Sequence, residues 1–211
     1  MTEINSGLRS LLKYSPIYQG FQRALGSLRA QRILAEQHIT PDPESRVLDI
    51  GCGPAGILQH LPDCHYVGID PNANYINAAK ATFGVKGDFV VGDIHSTIIP
   101  DSQKFDIICA LGVLHHLEDK EASSLCSFAA RHLAPGGKFV TTDVVLLQDQ
   151  RWIARKLAIN DRGQNVRTPE GYRALVTDYF EDVSEIIWPD VYRVPYDANI
   201  MTCRSPKLSL P

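Results

Sequence analysis

The residues whose types and spacing carry the most chemistry are a set of glycines and two carboxylates around position 50. Gly51, Gly53 and Gly56 stand in the run Val47-Leu48-Asp49-Ile50-Gly51-Cys52-Gly53-Pro54-Ala55-Gly56, an apolar strand pattern feeding a glycine-rich turn at a helix start. Glycines at such a turn adopt backbone conformations closed to other residues and let a ligand approach the main chain. Asp70 follows Gly51 by 19 residues, at the end of the next apolar run. A carboxylate at that spacing is placed to bind the hydroxyls of a ribose. The pattern implies an adenosyl ligand, and by itself it suits NAD as well as any other.

Asp49 discriminates between them. It lies two residues before Gly51, inside an otherwise apolar strand end. A dinucleotide sets a pyrophosphate over this turn, and an adjacent carboxylate repels it. S-adenosylmethionine carries an ammonium and a sulfonium instead, and a carboxylate attracts both. The electrostatics favour the methyl donor.

A second group follows the fourth apolar run, where His115, His116 and Asp119 lie close together. Histidine titrates near pH 6.5 and takes up a proton without extensive tuning. Asp119 stands four positions after His115, one helical turn on, and is placed to orient its ring. His115 is therefore the candidate general base for a hydroxyl acceptor; a nucleophile that is already reactive needs none. Farther on, Arg162 and Arg167 flank a polar loop. An arginine pair suits a carboxylate or phosphate on the acceptor, and a solvated loop with local salt bridges accounts for the same residues.

The elements that must position these groups alternate. Short apolar runs suited to buried strands occur at 46–50, 65–69, 88–91, 105–110 and 138–145, with helical patterns at about 55–61, 72–83 and 119–133 between them. Strands buried on both faces and joined by crossover helices imply a parallel sheet with helices on each side. Open sheets of this kind bind ligands at the carboxyl ends of their strands. Helices near 148–158 and from Thr168 onward precede two further strands, at about 182–188 and 197–203, one of them antiparallel to the rest. Ahead of the sheet, Ile17, Phe21, Leu25 and Leu28 recur on one helical face, after Ser15 as N-cap and Pro16 at the first helical position.

Asp49-Ile50-Gly51-Cys52-Gly53 resembles the signature loop of class I S-adenosylmethionine-dependent methyltransferases. The resemblance runs on through Tyr66-Val67-Gly68-Ile69-Asp70, Gly92-Asp93-Ile94, Phe105-Asp106-Ile107-Ile108, Leu114-His115-His116-Leu117 and Leu133-Ala134-Pro135-Gly136-Gly137. It covers about half the chain. It implies an α/β, Rossmann-like seven-stranded fold of order 3-2-1-4-5-7-6, with strand 7 antiparallel and an N-terminal helical lid. It also implies roles: Asp49, Gly51, Gly53 and the backbone near Leu111 at the methionine end of the cofactor, Asp70 on the ribose, Asp93 and Ile94 on the adenine. One domain spanning 1–211 is expected, with helices in 1–44, the cofactor-binding core in 45–145 and substrate-side elements in 146–211.

Composition narrows the acceptor. A net charge of −3 gives no footprint for nucleic acid or an anionic membrane surface, and a 44% hydrophobic share is ordinary for a cytoplasmic globular protein. No apolar run reaches the roughly 18 residues of a membrane helix, and the N-terminus lacks a signal-peptide layout. Five cysteines without paired spacing indicate neither disulfides nor a metal site. After the fourth strand the chain reads Ala110-Leu111-Gly112-Val113 rather than the Asn/Asp-Pro-Pro-aromatic run of amino-methyltransferases. The expectation is methylation of a small molecule at a hydroxyl or carbon. The alternatives are a methyltransferase-fold protein that only binds the cofactor, and an NAD-dependent oxidoreductase.

Overall fold

The computed structural model describes residues 27–97, 99–161, 163–189 and 196–207. The part of the expected N-terminal helices (1–44) that precedes Ser27, and Arg162, lie outside them.

Seven strands form one sheet: β1 (Arg46–Ile50), β2 (His65–Asp70), β3 (Gly87–Val91), β4 (Phe105–Leu111), β5 (Leu133–Val144), β6 (Phe180–Trp188) and β7 (Ala198–Pro206). Their order is β3-β2-β1-β4-β5-β7-β6. Strands β1 to β5 pair in parallel, and β7 runs antiparallel to both β5 and β6. This is the expected order and sense.

The helices are α1 (Ser27–Ile33, widening into a π turn over Leu34–Ile39), α2 (Ala73–Phe83), α3 (Asp119–His132), α4 (Trp152–Ile159) and α5 (Pro169–Thr177). Local chemistry sets several of their starts. Asn72 caps α2 by accepting from the Asn74 N–H, and Thr168 caps α5 by accepting from Gly171 N–H ahead of a proline in the first turn. Helix α3 opens on a capping box between Glu118 and Glu121.

The central strands β1, β4, β5 and β7 are buried on both faces, as continuous apolar runs require, while the edge strands β3 and β6 are largely exposed. Leu48, Ile50, Ile108, Phe139 and Met201 pack with Leu125, Ala129, Tyr172 and Val176 on the α3–α5 side. Val47, Ile107, Cys109, Val140 and Ile200 pack with Leu34, Ile39, Ile76 and Ala79 on the other. All five cysteines are free thiols.

One expected element is different. The pattern at 55–61 predicts a helix, but the structure has a single 3-10 turn over Gly56–Gln59. Ala55, its N-cap, sits at φ 56°, a left-handed conformation unfavourable to any residue with a Cβ. The Ala55 N–H instead bonds back to Cys52 O at 2.9 Å. Only 14 residues separate β1 from β2, and the turn consumes the first of them.

Candidate active site

The turn after β1 is tied to β2. Gly51 N–H and Cys52 N–H both donate to Ile69 O, at 2.8 and 3.1 Å. Gly53 N–H donates to Asp70 Oδ2 at 2.9 Å, and Asn72 N–H to Asp70 Oδ1 at 2.8 Å. Gly92 N–H, beyond β3, donates to the Asp70 backbone carbonyl at 3.0 Å. The carboxyl ends of three strands thus meet at Asp70. Gly51 and Gly53 have φ of 71° and 54°. A Cβ on Gly51 would lie 2.7 Å from Val113 Cγ2, whereas one on Gly53 would meet nothing within 4 Å among the described residues. Space remains above Gly53 and not above Gly51.

Asp49 is buried at the floor of this turn. Tyr66 OH donates to its Oδ2 at 2.5 Å, while Oδ1 is buried with no hydrogen-bond partner among the described residues. Burial pushes the Asp49 carboxyl up to about 7, helped by Asp70 and opposed by the Tyr66 bond. Tyr66 was legible only as part of the apolar β2 run. Its signal is that a tyrosine in a buried strand must find a partner for its hydroxyl.

Asp93 lies beyond β3 in a tight turn: its Oδ1 accepts from His95 N–H, Ser96 N–H and Ser96 Oγ–H at 2.8–2.9 Å. These bonds, led by the Ser96 N–H, hold its carboxyl below the usual range. Ile94 packs on the α3–α5 core and Leu111 on the opposite one. Past Leu111, Gly112 takes φ 75° and donates to Thr142 O at 2.7 Å.

His115 has different neighbours from those the spacing implies. Its Nδ1 lies 2.7 Å from Asp143 Oδ1 on β5, and its Nε2 lies 3.4 Å from Asp161 Oδ1. Burial drives the pair toward neutrality, lowering His115 and raising Asp143. The Asp143 bond and the charge of Asp161 outweigh it on the imidazole and raise His115 overall. Asp119 instead pairs with Arg167 at 2.7 Å.

Arg167 is correspondingly not an open anion site. It donates from Nη1 to Leu114 O and Asn165 O, from Nη2 to Leu117 O and Asp119 Oδ1, and from Nε to Asp119 Oδ1. All five N–H donors of its guanidinium are engaged within the protein, and its side chain is 11% exposed. It fastens the segment before α5 to the turn that carries His115.

The site fits an adenosyl cofactor with a cationic end. Asp49 offers a buried acceptor without a donor, Gly53 has open space above it, and Asp70 and Asp93 stand at the ends of the next two strands. Among the described residues no cluster of histidine, cysteine and carboxylate side chains suits a metal.

Residues 47–137 match the sequence profile of the methyltransferase domain. Phosphoethanolamine N-methyltransferase 1 of Arabidopsis thaliana is 28% identical over 181 residues, which cover 82% of this chain and 36% of that protein. A sterol 24-C-methyltransferase of Schizosaccharomyces pombe is 28% identical, over 91% of this chain and 56% of its own. The crystal structure of human N-acetylserotonin methyltransferase with S-adenosylmethionine superposes with a TM-score of 0.69 at 20% identity, covering 96% of this chain and 60% of that one. The chain spans little more than a third of the length of the plant relative. The sheet order defines a Rossmann-like methyltransferase fold. With the signature loop and the profile match over residues 47–137, it supports a class I S-adenosylmethionine-dependent methyltransferase.

Proposed function

We propose that this protein transfers the methyl group of S-adenosylmethionine to a small-molecule acceptor. The observation that carries this is the unpartnered Asp49 Oδ1 buried beneath the 51–53 turn, where a cation is favoured and a pyrophosphate is not. The same observation weighs against the NAD alternative. The presence of Asp49, Asp70 and Asp93 together weighs against a fold that has lost its cofactor.

When bound, S-adenosylmethionine supplies an electrophilic methyl on a sulfonium. The protein's share is then to hold, align and keep dry. Asp70 would bind the ribose, Asp93 and Ile94 the adenine, and Asp49 with the backbone of Gly51, Gly53 and Leu111 the methionine end. Alignment of the two reactants is worth up to roughly 7–11 kcal/mol. A hydroxyl acceptor needs a base as well, and His115 serves only if its Nε2 exchanges Asp161 for that hydroxyl.

The sequence Ala110-Leu111-Gly112-Val113 after β4 supports a hydroxyl or carbon acceptor. An amine is the second reading, on the strength of the phosphoethanolamine relative. Incubation with methyl-labelled S-adenosylmethionine and panels of hydroxyl, carbon, amine and RNA acceptors tests both. Label in a small hydroxyl or carbon acceptor supports the proposal; label only in amines, or only in RNA, replaces it.

A further inference from the structure

The chain following α4 lies directly on His115. Asn165 N–H donates to the His115 carbonyl at 3.0 Å, and a Cβ on Gly163 would collide with His115 Cδ2 and with that carbonyl oxygen. Asp161 begins this segment. Its Oδ1 accepts from Gly163 N–H at 2.8 Å and faces His115 Nε2, while its Oδ2 accepts from Tyr196 OH at 2.6 Å. On the other side of the ring, Asp143 Oδ1 accepts from the His115 backbone N–H at 3.1 Å as well as facing Nδ1. The ring itself is 8% exposed.

Two carboxylates face the two ring nitrogens. A neutral imidazole has one N–H and one lone pair, so it repels one of those carboxylates; an imidazolium donates to Asp143 and attracts Asp161 across 3.4 Å. Among the described residues, the other titratable or charged groups beside the ring are His116, tilted against it at 4.2 Å between centroids on the same turn, and Arg167, whose charge is paired with Asp119. Neither supplies a further anion, and Arg167 opposes the imidazolium only weakly against two close carboxylates.

We propose that His115 is a positioning residue, a charged pin whose imidazolium joins Asp143 on β5 to Asp161 and so fixes residues 163–167 against the carboxyl end of β4. Its use in catalysis, to hold the wall on the acceptor side, rests on the methyl-transfer reading. The pin itself can be measured without an acceptor. Loss of the His115 proton removes the attraction to Asp161 and frees the segment, so the wall is firm at neutral pH and loosens as the solution becomes alkaline.

Two measurements on the full chain test this. Long-range proton–nitrogen NMR of the histidine side chains, with His115→Gln to assign the signal, reads the state of each ring nitrogen. Both nitrogens of His115 are expected to carry protons at pH 7, with a midpoint above the ordinary value of about 6.5. Amide exchange in residues 163–167, corrected for intrinsic rates, is expected to accelerate at least tenfold above that midpoint. Asp161→Asn should give the same acceleration already at pH 7, and Gly163→Ala should do so without altering any charge. Binding of S-adenosylhomocysteine should change less than twofold in Asp161→Asn. A neutral His115 at pH 7 with an unprotonated Nε2 overturns the pin, and so does exchange in 163–167 that ignores both pH and Asp161→Asn. If S-adenosylhomocysteine does not bind the unaltered protein, the methyl-transfer reading fails while the NMR and exchange results still decide the pin.

Discussion

Asp70 Oδ2 accepts the backbone N–H of Gly53 at 2.9 Å, so the carboxylate that ends β2 also closes the glycine turn that follows β1. One side chain thereby shapes the turn and stands at the position expected to bind the ribose. Charge-assisted hydrogen bonds contribute about 1.5–3 kcal/mol each. Asp70→Ala should therefore lower cofactor affinity at least tenfold and also lower the melting temperature. Asp70→Asn, which keeps an acceptor for Gly53, should lose affinity with a smaller loss of stability. Calorimetry and thermal melting of both variants check this; unchanged affinity in Asp70→Ala would remove Asp70 from the site.

Asp49 makes the binding pH-dependent. Its folded pKa of about 7 stands above the ordinary 3.8, so the fold favours the neutral acid. That contribution to stability is complete below about pH 4 and is lost as pH rises toward 7. A bound cation favours the carboxylate instead. Binding of S-adenosylmethionine should thus release a proton near neutral pH and weaken up to tenfold per unit below it. Calorimetry in buffers of different ionisation enthalpy measures the proton count. Asp49→Asn should bind weakly and without this dependence, and an unaltered pH profile in that variant would exclude Asp49 as the group.

Gly51 combines a positive φ with a close neighbour. Gly51→Ala places a Cβ in a left-handed conformation and 2.7 Å from Val113 Cγ2. A loss of roughly 2–4 kcal/mol is expected from the two effects together. Val113→Ala in the same chain should recover the packing part and leave the backbone part, which urea midpoints of the single and double variants resolve.

Arg167 separates a structural from a recognition role. Arg167→Ala leaves the carbonyls of Leu117 and Asn165 and the carboxylate of Asp119 without the guanidinium donor, and Leu114 O with only the Leu117 N–H. A cost of about 3 kcal/mol, or roughly 6–12 °C in melting temperature, is expected. A variant with full stability that had lost only acceptor affinity would restore Arg167 to the substrate site.

The sheet was legible because its strands are continuous apolar runs between helical patterns, and because the 49–53 and 66–70 signatures lie within or beside single strands. Contacts made across long sequence separations were not. Asp143 and Asp161 reach His115 from 28 and 46 positions away; the apolar 138–145 run marks Asp143 as buried but names no partner for it, and Asp161 has no local pattern that distinguishes it from a solvated carboxylate. Asp119 looked the better partner because helical spacing is visible in sequence, whereas its pairing with Arg167 is visible only in the fold. The helix expected at 55–61 failed for a local reason: the left-handed residue at Ala55 is a backbone state that hydrophobic periodicity does not register.

Histidine 115 gives the two catalytic accounts opposite pH signatures. As a base it must be neutral, so turnover rises with pH, and His115→Ala lowers it about 10²–10⁴-fold. As a pin it must be charged, so the acceptor KM rises on the alkaline side and the cofactor Kd does not follow. Turnover against pH, with an acceptor found by the labelling screen, separates them by sign.

The central claim, a cofactor site for S-adenosylmethionine at the 51–53 turn, is tested most directly by calorimetric titration of the purified chain with S-adenosylhomocysteine and, separately, with NAD. The account predicts one equivalent of S-adenosylhomocysteine bound, at least tenfold weaker binding in Asp70→Ala, and no heat from NAD. Binding of NAD without S-adenosylhomocysteine would contradict it.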